Sequence, residues 1–284
     1  MAVQLRQIIE VPCEIDALSR LDVLRQLDDD ALAALNVDPS ELDEPSTEEE
    51  PASGDPDEVA DEPYEPALSE DAAHRIDRAI AACLAAYEPR GAYKVFNPAI
   101  CTLPPKYVEP AIKLVGTMMV FHGQSSYEKL RRATHCALMA ATIGPEQPEA
   151  LPANADDLDR AIARACALAL VESTADHVNA DIVKTALDEE LYTDDRLCPG
   201  VGDFPLESRS QFVFYTQSEQ RLGLKLNADG AFDPPFSTVG VVGMYDPTQK
   251  GRRRACGRCK YRSFCSIRAI GMNCHGSKGS FKNL

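Results

Sequence analysis

The chain has 284 residues and a formal net charge of −16, and that charge is spread unevenly. All 45 acidic residues precede Pro247, whereas Pro247 to Leu284 holds ten basic residues and no acidic one. An acidic body of this size repels nucleic acid and anionic membrane, and only the basic tail could be drawn to either, so neither is expected as a partner.

Residues 1–37 open with MAVQLRQIIEVPCEID, which lacks a charged leader followed by an apolar run, so no export signal is expected. Leu18, Leu21, Leu24, Leu27, Leu32 and Leu35 recur at helical spacing and predict a short helical hairpin packing on the core. Asp38 to Pro66 then carries thirteen acidic residues and six prolines with almost no large apolar group. Such a segment cannot bury enough surface to offset its ordering entropy, and 38–68 is expected to be a disordered tether.

The expected core runs over 69–246. Ser69 reads as an N-cap, followed by acidic Glu70 and Asp71 and a face of Ile76, Ile80, Cys83, Leu84 and Tyr87, with Pro89 and Gly91 as the stop. Ala92–Phe96 and Ile112–Phe121 predict strands, Ser125 or Ser126 caps a helix through Arg132, and His135–Ile143 predicts a buried strand ending at Gly144-Pro145. The longest apolar stretch, around Leu114–Phe121, is too short to span a bilayer. Asn154 to about Leu191 reads as a long helical stretch that bends or divides. A short helix follows near Glu207–Thr216, and Leu222–Leu226 with Thr238–Met244 predict a hairpin around Asn227–Gly230. Strands and helices alternate without a regular βαβ repeat, so the expected class is α+β with a single core.

Two motifs carry chemistry. In RLCPGVGDFPLE, Arg196 to Glu207, Pro199 and Pro205 each fix a φ angle, while Gly200 and Gly202 allow positive φ or a close ligand approach. Arg196 puts a guanidinium fork at the start of the loop, suited to a carboxylate. The bland alternative is a Pro/Gly connection with Arg196 on the surface. A phosphate cradle is a weaker option, because PGVGD lacks the strand–GxGxxG–helix context.

The second motif is the tail, 247–284, where Cys256, Cys259, Cys265 and Cys274 fall within twenty residues and His275 follows at once. Ten cysteines in a chain without an export signal read as thiols or metal ligands, which implies a reducing cytoplasm. The surrounding arginines favour thiolates. A single tight CxxC pair is less than structural zinc commonly uses, and four irregularly spaced thiolates suit an iron–sulfur cluster, so [4Fe-4S] and zinc both stay open. Cys13, Cys83, Cys101, Cys136 and Cys166 stand singly and read as core residues, as do His135 and His177.

The Arg196–Glu207 segment resembles the Arg-x-x-Pro-Gly-Tyr motif of the activation domain of cobalamin-dependent methionine synthase, especially its stand-alone form in anaerobic bacteria. DVLRQL (Asp22–Leu27), AYKVF (Ala92–Phe96), YEKLRRATHCALMAATIG (Tyr127–Gly144), VESTAD (Val171–Asp176) and PPFSTVGVVGMY (Pro234–Tyr245) are similar to that family in the same order. The resemblance implies a core of mixed helices and antiparallel sheet. It also implies S-adenosylmethionine held by Arg196, Pro199 and Gly200, with Glu172 as the helix carboxylate and Asp176 its rival. The implied role is reductive remethylation of cob(II)alamin in trans, as part of a methyltransferase system. The implied partners are a cobalamin-binding methionine synthase subunit or another corrinoid protein, and an electron donor.

This sequence departs from the family at Val201 and at about Val242, where the family has tyrosines. It also has no D-x-H-x-x-G cobalamin loop, so it is not a whole methionine synthase. Two other classes remain: an activator of a different corrinoid methyltransferase, and a non-enzymatic zinc-knuckle binding module.

Overall fold

A computed structural model describes residues 7–42, 67–101 and 111–247. Most of the expected tether, and the tail with Cys256, Cys259, Cys265 and Cys274, lie outside the described residues. In chain order the elements begin with β1 (Ile8–Pro12), α1 (Arg20–Leu24), α2 (Asp29–Ala34), α3 (Glu70–Ala86) and β2 (Arg90–Phe96). Next come β3 (Pro98–Cys101), β4 (Ala111–Leu114), β5 (Val120–Phe121), α4 (Gln124–Leu130), β6 (His135–Thr142) and α5 (Asp157–Asp188). The series closes with β7 (Tyr192–Thr193), α6 (Arg209–Thr216), α7 (Ser218–Leu222), β8 (Lys225–Leu226), β9 (Phe232–Asp233) and β10 (Ser237–Tyr245).

The chain forms two compact units. One comprises, among the described residues, 14–42, 67–88 and 145–173, and is helical there. Ser19, Asp28 and Ser69 cap α1, α2 and α3, each side chain accepting a main-chain N–H three residues on. The apolar face foreseen for α3 is the buried one, with Ile76, Ile80 and Cys83 inside. Arg20 holds Asp77 through two hydrogen bonds of 2.7 Å, and Arg75 pairs with Asp156 at 2.6 Å.

The other unit comprises, among the described residues, 7–13, 89–101, 111–144 and 174–247, and is built on a five-stranded sheet in the order β1-β2-β6-β10-β7, antiparallel throughout. The inner strands read as near-continuous apolar runs because both faces are covered, and all but the first residue of β6 is buried. One face carries Ala92, Phe96, Cys136, Leu138, Ala140, Val239 and Val241 into a core with Ile112, Phe121, Phe204 and Phe212. On the other face Tyr93 is fully buried, and its hydroxyl reaches Asp181 (3.1 Å) and Thr185 (2.7 Å) on α5. Burial pushes the Tyr93 phenol up to about 12.

Four local expectations are corrected. Ile112–Phe121 is not one strand: Gly116, at φ +81°, turns the chain between β4 and β5. Asn154–Leu191 does not divide into two helices, since α5 is one helix of 32 residues. The hairpin around Asn227–Gly230 joins β8 to β9, because Thr238–Met244, apolar on both faces, is taken into the main sheet beside β6. Neither Ser125 nor Ser126 caps α4, whose cap position is Gly123.

The α5–sheet contact requires a glycine. A Cβ on Gly91 would stand 2.0 Å from Val178 Cγ2. Gly91→Ala is therefore expected to lose about 1–3 kcal/mol of stability, as overpacking does. Val178→Ala in the same chain should recover part of that loss, read from urea denaturation midpoints. Equal midpoints for wild type and Gly91→Ala would contradict this packing.

Candidate functional site

The loop from Arg196 to Glu207 is held at several points within its unit. Leu197 exchanges two 2.9 Å main-chain hydrogen bonds with Val241 of β10. Phe204 is buried among Phe121 and Phe212, with ring centroids 5.6 and 6.1 Å away. Between these anchors Gly200 takes φ +95°, and its N–H donates to Phe204 O at 2.8 Å. A Cβ there would also meet Leu206 Cδ1 at 2.9 Å. The positive φ read from the sequence is thus used, and Pro199 stands directly before it.

Asp203 supplies the cap that the serines were expected to give. Its carboxylate accepts the main-chain N–H groups of Gln124 and Ser125, the first turn of α4. Gly123 lies so close that a Cβ would fall 2.8 Å from Asp203 O. Hydrogen bonds from the Ser125 side chain and main chain, then from Gln124, hold the Asp203 carboxyl below the usual aspartate range.

Arg196 is the best-defined charged group of the loop, with a side chain only 6% exposed. It crosses β10 at Gly240, where an added Cβ would meet Arg196 Cγ at 2.6 Å, Cδ at 2.8 Å and Cys198 Sγ at 3.3 Å. Its Nη1 lies 3.4 Å from Asp176 Oδ1 on α5. A cationic fork and a carboxylate are therefore brought together beside a proline–glycine bend. That is the charge pairing an amino-acid ligand requires of a site. Glu172 lies one turn before Asp176 on α5, in the segment that belongs to the helical unit.

Beside the loop is a cleft of about 320 Å³, lined by Cys198, Pro199, Arg209, Phe232, Ser237 and Val239, among others. The Arg209 guanidinium sits 4.9 Å above the centre of the Phe232 ring. The two valines at the family's tyrosine positions differ in setting: Val201 is 56% exposed on the loop, and Val242 is buried in β10.

Cys13, Cys83, Cys136 and Cys166 are buried thiols, as their surroundings in the sequence suggested, and Cys198 is half-buried. Burial lowers the pKa of His135. Among the described residues no His, Cys, Asp and Glu side chains cluster to hold a metal, and no helix is long and apolar enough to cross a membrane. Sequence reasoning missed Gly240 and Asp203. The first had a signal, since a glycine inside an apolar strand run marks a close approach. The second had none, because its partners lie 78 and 79 residues away.

These features define an α+β protein whose antiparallel sheet seats an arginine-bearing proline–glycine loop on its β10 edge. Among solved structures, the crystal structure of the MetH reactivation domain bound to AdoHcy is similar, with a TM-score of 0.51 and 16% identity, covering 96% of this chain and 88% of that one. At this identity the likeness is one of fold, and it bears out the α+β architecture expected of a methionine synthase activation domain. No protein-family model matches the sequence, and no curated protein matches it.

Asp203 gives a test of the loop's anchoring. A carboxyl whose pKa is depressed on folding contributes stability above its unfolded pKa and loses it as pH falls through the folded value. Asp203→Ala should lower the melting temperature at neutral pH and flatten its dependence on pH below the usual aspartate range. Identical acid profiles for variant and wild type would contradict the cap.

Proposed function

We propose that this chain binds S-adenosylmethionine through Arg196, Pro199 and Gly200. In this reading it serves in trans as the activation module of a cobalamin-dependent methionine synthase system. The observation that carries the reading is the buried Arg196 side chain, whose stem lies against Gly240 and whose guanidinium pairs with Asp176. Arg196 suits the carboxylate of the ligand's amino-acid end, and Asp176 or Glu172 suits its amine. The fold likeness to a reactivation domain crystallised with AdoHcy supports the same ligand class.

S-adenosylmethionine supplies an electrophilic methyl group, with the cobalt of a partner corrinoid protein as acceptor. This chain contributes binding and orientation, since the cofactors carry the hard chemistry. No general acid or base is needed. A different corrinoid methyltransferase could be served by the same site. Copurification of the partner decides between them.

The tail extends the proposal. Cys256, Cys259, Cys265 and Cys274 would hold an iron–sulfur cluster or zinc. A low-potential cluster there would supply the electron that cob(II)alamin needs before methylation. Anaerobic purification should then give brown protein with iron and sulfide. Colourless protein with stoichiometric zinc would place the electron donor elsewhere.

The binding reading is tested by anaerobic calorimetric titration with S-adenosylmethionine. Arg196→Ala should cost about 2–4 kcal/mol of binding free energy, the loss of a buried charged contact. The far-ultraviolet circular dichroism should stay unchanged, because Asp176 keeps 44% of its side chain exposed. Equal affinities in folded wild type and variant would overturn the assignment of Arg196.

A further inference from the structure

Asn179 of α5 is fully buried, and neither Nδ2 nor Oδ1 of its side chain has a hydrogen-bond partner among the described residues. Other buried polar side chains of the same unit are paired, Thr216 with Phe212 O and Thr142 with Phe236 O. An amide shut away from water without partners is costly. In a folded protein such a group marks stored strain or a role in binding.

Its place on the helix decides which groups it can meet. On one flank of α5, Asp181 and Thr185 reach the hydroxyl of Tyr93 in β2. On the other, Asp176 reaches Arg196, which crosses β10 at Gly240. β2 and β10 stand on opposite sides of β6. At 3.6 residues per turn, Asn179 is about 60° from Asp176 around the helix axis and about 160° from Asp181. It therefore belongs to the Arg196 flank. Side chains three residues apart are neighbours, and each leans towards the helix N-terminus. The Asn179 amide is thus carried over the turn that bears Asp176. The Asp176–Arg196 contact is long at 3.4 Å, and 44% of the Asp176 side chain is exposed, so its carboxylate has room to turn.

We propose that Asn179 is a positioning residue of the Arg196 site, with an amide that is paired in the liganded state. When the carboxylate of an amino-acid ligand takes the Arg196 guanidinium, Asp176 gives up that charge partner. Nδ2 of Asn179 then donates to one Asp176 oxygen, and the other oxygen receives the ligand's amine. No proton changes hands. Asp176 is held in place for the amine, and binding removes part of the cost of the orphaned amide. The inference rests on the S-adenosylmethionine reading for its ligand, and adds to that reading a residue that no ligand atom touches.

The test is a double-mutant cycle read by calorimetric titration of the full chain with S-adenosylhomocysteine. Asn179→Ala should weaken binding roughly tenfold or more, the loss of a hydrogen bond to a charged group. In the Asp176→Ala background the same substitution should change affinity by less than about twofold, because the acceptor is gone. Asn179→Leu, which fills the space without polar atoms, should follow the same pattern.

A role confined to packing would give the same factor in both backgrounds, and that result would overturn the inference. Failure of both variants to fold would show that the amide is needed without ligand, and would sink it too. Equal affinities of wild type and both variants would remove the positioning role and leave the methyl-donor reading intact. No binding by folded wild type would overturn both.

Discussion

A guanidinium with 6% of its side chain exposed governs the arrangement of the candidate site. Removing a charge from water is costly unless a partner compensates, so Arg196 constrains whatever surrounds it. Asp176 must project from the second part of α5 to within 3.4 Å. The residue beneath the arginine must also be glycine, because any side chain on Gly240 would occupy the space of Arg196 Cγ and Cδ. Sheet, helix and loop within this unit are thereby tied together by one side chain.

The loop then follows from its anchors. Leu197 joins β10, Phe204 enters the core, and Asp203 completes α4, so the stretch between them has little freedom. Pro199 and Gly200 fall at the point where the ladder with β10 would otherwise continue. Their chemistry ends it: one lacks a donor, and the other adopts a φ that strand residues avoid. The same two residues that rigidify the bend therefore leave the β10 edge open beside a cleft.

Much of this was legible in the sequence where patterns are local. Ser69, the α3 face and the wholly apolar β6 follow from capping and periodicity alone, and the Gly200 bend from its dipeptide. What escaped is long-range. β1 lies in a stretch without strand alternation and becomes a strand by pairing with β2. Thr238–Met244 was given a neighbouring partner in place of β6, since pairing over nearly a hundred residues leaves no local mark. The position of Arg196 was legible, but its burial was not, because that depends on Gly240 and Asp176 arriving from two other elements. The glycine-rich run VGVVG held a hint, as small residues in an apolar strand mark the approach of another part of the chain.

The central claim is that the Arg196 guanidinium receives the carboxylate of an adenosyl amino acid. A crystal structure of the chain with S-adenosylhomocysteine tests it most directly. The account predicts ligand carboxylate oxygens within hydrogen-bonding distance of the Arg196 guanidinium, with Gly240 still beneath its side chain. Ligand bound at another surface, with Arg196 making no contact to it, would contradict the account.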